Sequence, residues 1–212
     1  MVEDAARKDA EVEDVFKKSG LQYHYFNVGP THHKGKEQKN LGMSFVRDNR
    51  IEGVVYVADD DNYYEKKLFD ELQKTKRIAI FPVGNLGPNG TERPVIRKGK
   101  IVGWDATWRS RKYPTDWAGI AFDASILQKL QPPILKNLGP GGETEFLEQC
   151  IRSSEELELL CSNCSRCYVR HNEPLTRVSR LQRWLRTILW VCSLTRHFKK
   201  NFRALRKQLF GI

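Results

Sequence analysis

The fold is decided by the stretch Gly53-Val54-Val55-Tyr56-Val57-Ala58-Asp59-Asp60-Asp61-Asn62. Its first six residues form a nearly continuous apolar run, which is typical of a strand buried on both faces. The run ends at three consecutive aspartates. Because ligands in open α/β sheets bind just beyond the carboxyl ends of the strands, the stretch predicts a buried strand that leads into a ligand-binding acidic loop.

The segments on both sides of this strand alternate between helical and extended patterns. Helices are predicted over 3–18, closed by Gly20, and over 37–49 and 64–75, and strands over 21–28 and 78–83. This alternation indicates an α/β sheet with parallel strands. Beyond Gly84 the sequence predicts a hairpin over 95–102 with Lys98-Gly99 near its turn, a strand over 118–122, and a helix that begins at Glu143.

The acidic triplet has two interpretations. Three adjacent carboxylates repel one another, and such a cluster is stable chiefly when cations or hydrogen-bond donors hold it. A hard divalent ion that also binds a diphosphate would need only one or two protein ligands. The alternative is a solvated loop before a helix, with Asp61 or Asn62 as the helix cap.

The positive charge of the chain is concentrated in a tail. The formal net charge is +10, yet residues 175–212 contain ten Lys and Arg residues and no acid, and residues 1–174 hold 26 basic and 26 acidic residues. A neutral body without a recognisable binding module argues against nucleic acid as a partner. We therefore expect two units, a folded domain over 1–174 and a basic tail over 175–212.

The tail has the pattern of an amphipathic helix. Leu181, Trp184, Leu185 and Ile188 share one face. The helix either packs on the body or a partner, or lies in a membrane interface, because Trp and Phe oppose a wholly cationic face. The mean hydropathy is −0.58, and neither a transmembrane helix nor a signal peptide is predicted within the sequence. The chain would then either work in the cytosol or have lost an N-terminal portion.

Five cysteines are present, and three of them are evenly spaced, Cys161, Cys164 and Cys167. A structural zinc site needs four ligands, usually from two separate pairs. The pattern therefore favours buried thiols and a disulfide partner over a zinc site.

Several collinear motifs show a specific resemblance. They are Gly53–Asn62 followed by Leu68-Phe69-Asp70-Glu71-Leu72, Phe81-Pro82-Val83-Gly84, Val102–Trp108 and Tyr113–Ala121. Together they closely resemble the β-1,3-glucuronyltransferases of glycosyltransferase family 43, from about Val2 to His171. The resemblance implies a GT-A fold with a Rossmann-like mixed sheet, Mn²⁺ as cofactor, and inversion at the anomeric carbon. It also implies UDP-glucuronic acid as donor, a terminal galactose as acceptor, and a homodimer at the Golgi membrane, on its lumenal side.

The resemblance assigns residues to the donor side. Asp61 falls on the family's manganese ligand, and Asp4 falls on the aspartate that meets the uracil. The other positions that match donor contacts are Lys34, Lys39, Asp59, Asp60 and His171. At Lys34 and Lys39 the family usually has Arg. Lysine keeps the positive charge but lacks the planar guanidinium group, which can donate two parallel hydrogen bonds.

The resemblance also assigns an acceptor side. The matching positions are Glu92, Trp108, Arg111 and Asp116. The loop that contains Arg111 is one residue shorter than in the family, so Lys112 is the alternative at that place. A role for Trp108 in the core is the alternative to sugar packing.

Glu143 falls on the family's catalytic base. Inversion in one displacement needs one carboxylate that takes the proton of the acceptor hydroxyl. Glu143 could instead be only an acid at a helix start, where the helix dipole favours it, and Glu145 lies two residues away. The collinear match favours Glu143.

Two sequons are present, Asn163-Cys164-Ser165, at the family's position, and Asn89-Gly90-Thr91. Three departures from the family are also visible. The sequence begins after the family's first strand, Glu173 stands where the family has a donor-binding Arg, and Gly139 replaces an Arg near the glucuronate, for which Lys136 is a possible substitute. A transferase of another sugar, such as xylose, and an inactive lectin-like or scaffold protein are therefore the alternatives.

Overall fold

The computed structural model describes residues 1–31, 35–86, 89–137 and 141–171. Four right-handed α-helices lie in these ranges, α1 Ala10–Ser19, α2 Lys36–Asp48, α3 Lys66–Leu72 and α4 Gly142–Cys150, and a fifth short helical element, Leu160–Cys164, is mainly left-handed. The strands are β1 Val2–Glu3, β2 Phe26–Asn27, β3 Val54–Tyr56, β4 Tyr63–Tyr64, β5 Ile78–Ile80, β6 Val83–Gly84, β7 Thr91–Arg97, β8 Lys100–Asp105, β9 Ile120–Asp123, β10 Glu158–Leu159 and β11 Val169–Arg170. Three short 3₁₀ helices span Trp117–Gly119, Ala124–Lys129 and Ser154–Glu156.

The central sheet has the strand order β10-β5-β9-β3. Alternate residues of its strands enter two different apolar clusters, with Val55 on one face of β3 and Val54 and Tyr56 on the other. All three residues of β3 are buried. Burial on both faces is what the apolar run 53–58 predicts, and this prediction is confirmed.

The expected parallel sheet is a mixed sheet. β9 lies between β3 and β5 and pairs antiparallel with both, whereas β10 pairs parallel with β5. After β5 and β6 the chain forms the hairpin β7–β8 in the second sheet. It then returns to the central sheet as β9, which inserts between β3 and β5. Gly119 permits this insertion, because a Cβ there would lie 2.8 Å from the backbone oxygen of Phe81.

A second sheet carries the predicted hairpin. Its order is β4-β11-β6-β7-β8, and β7 and β8 pair antiparallel with Arg97 opposite Lys100. Lys98 and Gly99 form the turn with φ values of 50° and 75°. The hairpin prediction is confirmed, and it matters for the site because β7 carries Glu92, opposite Val83 of β6, in the same sheet as β4, the strand that follows the acidic loop.

The N-terminal helix prediction is correct only at its end. Helix α1 begins after Asp9, whose side chain accepts a hydrogen bond from Glu11 N at 2.8 Å, and it ends at Gly20 with φ 66°. Residues 2–3 instead form β1, which pairs parallel with β2. The strand predicted over 21–28 is thus shortened to Phe26–Asn27.

The cysteines of the described ranges are free thiols. Residues Cys161–Cys164 have φ values from 54° to 58° and form a left-handed turn, an unusual conformation for four successive non-glycine residues. Cys164 Sγ contacts Ile80 O at 3.4 Å, and Cys167 Sγ contacts Val169 O at 3.0 Å. Cys192 lies outside the described residues. Within these ranges, every helix falls short of the length and apolarity that spanning a membrane requires.

Candidate active site

The acidic triplet stands where the sequence predicts it, at the carboxyl end of β3. Val57 and Ala58 are still buried, and the chain emerges at Asp59. Lys39 of α2 is 8% exposed and its Nζ lies 2.9 Å from Asp59 Oδ1. Tyr64 donates its hydroxyl proton to Asp59 O at 2.7 Å. The first aspartate is therefore held by a cation, and the next two face outward.

Asp60 and Asp61 are exposed at the surface of this loop. The packing around its carboxyl raises the pKa of Asp60, and the negative charge of Asp61 raises it further, with smaller contributions from Asp59 and Asp4. Asp4 thus lies near the triplet, and Thr31 Oγ1 is 3.4 Å from Asp4 Oδ2. Because the negative charges of Asp61, Asp59 and Asp4 all act on Asp60, the loop favours a cation or an array of hydrogen-bond donors.

Buried polar side chains line the back of the loop. Asn62 is fully buried, and its Oδ1 lies 2.9 Å from Nδ1 of His171. Asn62 Nδ2 and Gln38 Oε1 are buried atoms that have no hydrogen-bond partner among the described residues. Buried polar atoms are rarely left unpaired, so a ligand with both donor and acceptor groups fits this place.

The donor set suits a divalent ion that is shared with a ligand. No group of three His, Cys, Asp or Glu side chains that could hold a metal ion is found within the described ranges. An ion here would therefore have one or two protein carboxylates, such as Asp61, and take its other ligands from water and a bound diphosphate. Mg²⁺ and Mn²⁺ sites of this kind use hard oxygen ligands, and the residues fit.

A second group of acids lies across from the triplet. Glu92 of β7 is 7% exposed, and burial raises its pKa to about 7, with a further contribution from the charge of Asp116. Asp116 caps the 3₁₀ helix Trp117–Gly119 by accepting a hydrogen bond from Ala118 N at 2.8 Å. Burial raises the pKa of Asp116 as well, against the nearby charges of His171 and Lys39. Asp116 is therefore close enough to act electrostatically on Glu92 and Glu143, and it is itself influenced by Asp59 and Lys39.

Glu143 is the second residue of α4 and faces this site. Its side chain is 14% exposed, and Arg111 Nη1 donates to Glu143 Oε2 at 3.3 Å. Burial raises the pKa of Glu143, and the charge of Asp116 adds to the effect, whereas Arg111 opposes it. The result is a carboxyl group whose proton affinity is increased while one cation fixes its orientation.

Arg111, and not Lys112, reaches Glu143. The Lys112 Nζ lies 3.7 Å from Glu148 Oε1, on the outer side of α4. Trp108 is 61% exposed, so it is not part of the core, and the Arg111 guanidinium lies 5.8 Å from its ring centroid. A cavity of about 480 Å³ continues along α4 from Arg111, past Lys136 and Glu145.

Glu145 has a structural role that its sequence position does not reveal. Its Oε1 accepts hydrogen bonds from Lys136 N at 2.6 Å and from Asn137 N at 3.1 Å. A side chain of α4 thereby fixes the backbone of Lys136 and Asn137. Four of the positions discussed above, Lys34, Gly139, Glu173 and the tail 175–212, lie outside the described residues.

Both sequons are at the surface. Asn163 is exposed within the left-handed turn. Asn89 is also exposed, and its Nδ2 donates to both carboxylate oxygens of Asp105 at 3.0 Å. A glycan on Asn89 would replace one of the amide protons that make this contact.

Comparisons with known proteins identify the family of this chain. The sequence model of glycosyltransferase family 43 matches residues 1–173. The chain belongs to this family, and its mixed α/β fold is consistent with the family's GT-A-like architecture.

Curated relatives are similar over most of this chain. Identity is 35% over 188 residues with mouse galactosylgalactosylxylosylprotein 3-beta-glucuronosyltransferase 2, covering 81% of this chain and 57% of the relative. Identity with Drosophila melanogaster galactosylgalactosylxylosylprotein 3-beta-glucuronosyltransferase P is 32%, over 82% of this chain and 38% of the relative. Identity with human galactosylgalactosylxylosylprotein 3-beta-glucuronosyltransferase 3 is 30%, over 81% of this chain and 59% of the relative. The chain spans about three fifths of the length of the vertebrate relatives it matches.

Proposed function

We propose that this chain is an inverting glycosyltransferase that moves glucuronic acid from UDP-glucuronate to a terminal galactose of a glycan. One observation carries the proposal. Arg111 contacts the largely buried carboxylate of Glu143 at 3.3 Å, and that carboxylate is influenced by the charge of Lys39, the lysine that binds Asp59 of the acidic loop. The names of the relatives, which are 3-beta-glucuronosyltransferases, support the choice of sugar.

Glu143 is the proposed general base. A base works best when its pKa is raised toward the working pH, and burial raises the pKa of Glu143. The carboxylate takes the proton of the acceptor hydroxyl. The acceptor oxygen then forms a bond to the anomeric carbon as the bond from that carbon to the diphosphate oxygen breaks, and UDP leaves with the electron pair.

Glu92, Asp116 and Trp108 form the proposed acceptor subsite. A galactose hydroxyl can donate to an ionised carboxylate or accept from a protonated one, so Glu92, with a pKa of about 7, can pair with it in either state. The exposed Trp108 ring offers an apolar face for the sugar. Together they would hold the acceptor hydroxyl against Glu143.

Asp4, Lys39, Asp59, Asp60 and His171 form the proposed donor subsite, and Lys34 is proposed from the resemblance alone. Asp61 is the proposed protein ligand of Mn²⁺, which would neutralise the charge that develops on the leaving diphosphate. Lys39 already neutralises Asp59 at 2.9 Å, and this leaves the outward-facing aspartates for the ligand. The orphan atoms of Asn62 and Gln38 would pair with polar groups of the donor.

The test is calorimetric titration of UDP into the chain with and without Mn²⁺. We expect Mn²⁺ to strengthen UDP binding and Asp61→Ala to remove the dependence on the metal. Asp70→Ala is the matched control, because Asp70 is an exposed aspartate on α3 nearby in sequence. Metal-dependent UDP binding that survives in Asp61→Ala would show that the metal ligand is wrongly assigned.

A further inference from the structure

One polar face of α2 contacts both halves of the site. Lys36, Lys39 and Asn40 have the spacing i, i+3 and i+4, which places them together on one side of a helix. Lys39 binds Asp59 of the acidic loop at 2.9 Å. Lys36 and Asn40 point instead to the segment 134–137, which precedes the helix that carries Glu143.

The backbone of this segment is held by side chains. Asn40 of α2 accepts from Leu135 N at 2.8 Å and donates to Leu135 O at 2.9 Å. Lys36 Nζ donates to Asn137 O. From the other side, α4 supplies Glu145, which accepts from the amides of residues 136 and 137, and Gln149, which donates to Ile134 O at 2.8 Å. Hydrogen bonds from side chains of both helices therefore join the segment to α2 and to α4.

Lys36 also touches the start of α4 directly. A Cβ built on Gly142 would lie 3.4 Å from Lys36 Cε and 3.5 Å from the indole nitrogen of Trp117. Lys36 is 8% exposed, so its stem is packed against the residue that immediately precedes Glu143. Its ammonium group and its stem thus reach the segment and the helix start at once.

We propose that Lys36 and Asn40 are positioning residues for Glu143. They fix segment 134–137, and with it the first turn of α4, relative to the helix that also holds Asp59. The link to catalysis rests on the proposed role of Glu143 as base. A displacement of about 1 Å in a reacting group can cost about a hundredfold in rate, so such an anchor has a measurable effect.

The first test is amide hydrogen exchange on the full chain and needs no activity. In Lys36→Met and Asn40→Leu we expect the amides of residues 135–137 and of 145–147 to exchange about tenfold faster or more, since local opening sets their protection. The amides of β3 and β5 should be unchanged, which separates this effect from global unfolding. Lys36→Arg keeps a donor and should restore protection.

Matched controls separate the anchor from the chemistry of the substitutions. Lys17→Met removes an exposed lysine of α1, and Asn49→Leu removes an exposed asparagine at the end of α2. Neither should alter exchange near α4. Faster exchange confined to residues 135–137, or unchanged exchange in both variants, would overturn the proposal. If Asn40→Leu does not fold, Lys36→Met and its rescue by Lys36→Arg decide the result alone.

The second test separates positioning from donor binding. Lys36→Met should lower kcat for glucuronate transfer about tenfold or more and leave the KM for UDP-glucuronate within about twofold. If exchange near α4 becomes faster in these variants but Glu143→Gln keeps full transfer activity, the anchor is supported and Glu143 is not the base. An unchanged exchange pattern together with an inactive Glu143→Gln would refute the anchor and leave the proposed function standing.

Discussion

Replacing Glu143 by glutamine removes the proposed base and keeps the size of the side chain. Glutamine still offers a carbonyl oxygen to Arg111, whose Nη1 lies 3.3 Å from Glu143 Oε2. It cannot accept the acceptor's proton, and general-base catalysis is typically worth about 10²- to 10⁴-fold in rate. We therefore expect kcat to fall by that factor, with UDP and Mn²⁺ binding nearly unchanged.

The effect on stability should be small, because two contributions oppose each other. The substitution weakens a charge-assisted hydrogen bond between partly buried groups, but it also removes a carboxylate whose ionised form is destabilised by burial, as its raised pKa shows. The balance should stay within about 1 kcal/mol. For a chain of this size that corresponds to a change in Tm of about 2–4 °C.

The assay is transfer from UDP-glucuronate under single-turnover conditions, with Tm measured on the same samples. Glu148→Gln is the matched control, because Glu148 is exposed on the same helix and only approaches Lys112 at 3.7 Å. Glu145 cannot serve as a control, since its carboxylate holds the amides of Lys136 and Asn137. Full activity in Glu143→Gln, or an equal loss in Glu148→Gln, would refute the assignment of the base.

Two further predictions concern pH and the tail. Burial raises the pKa of Glu92 to about 7. Between the ordinary pKa of a glutamate and pH 7, the folded state therefore keeps a proton on Glu92 that the unfolded state has released. The free energy of unfolding should fall as the pH rises through this window. Glu92→Gln should flatten the fall in Tm between pH 5 and pH 8 relative to Glu148→Gln, and parallel curves would contradict the buried carboxyl. Deletion of 175–212 should leave UDP binding intact and reduce binding to anionic vesicles, since each basic residue near such a surface contributes about 1 kcal/mol. Loss of folded protein on deletion would show instead that the tail completes the core.

Local patterns were sufficient where one physical cause dominates. The apolar run before Asp59 predicts a doubly buried strand because only a sheet covered on both faces accommodates it, and Gly20 ends α1 because glycine adopts positive φ freely. The pattern could not place β9 between β3 and β5, since strand order depends on pairing between residues distant in sequence. Residues 3–9 were wrongly predicted as helical because their charge pattern suits a helix, whereas pairing with β2 makes residues 2–3 a strand.

The candidate site was predictable as a set of residue types, and its contacts were not. The collinear motifs are sufficient to predict Asp61, Glu143 and Asp116 as site residues. The roles of Lys36, Asn40 and Glu145 depend on segment 134–137, which approaches α2 across about a hundred residues of sequence. The i, i+3, i+4 spacing of Lys36, Lys39 and Asn40 was the one signal that could have indicated a shared polar face. Asn62 and Gln38 are candidate ligand contacts only because each has a buried side-chain atom without a hydrogen-bond partner among the described residues.

The most direct test of the central claim is the product of a transfer reaction. The chain would be incubated with Mn²⁺, a galactose-terminated acceptor and either UDP-glucuronate or UDP-xylose, and the new linkage would be read by NMR. We predict a β-linked glucuronate formed from the α-linked donor, with less product from UDP-xylose. An α-linked product would contradict the single displacement with Glu143 as base, and preferential transfer of xylose would contradict the proposed donor.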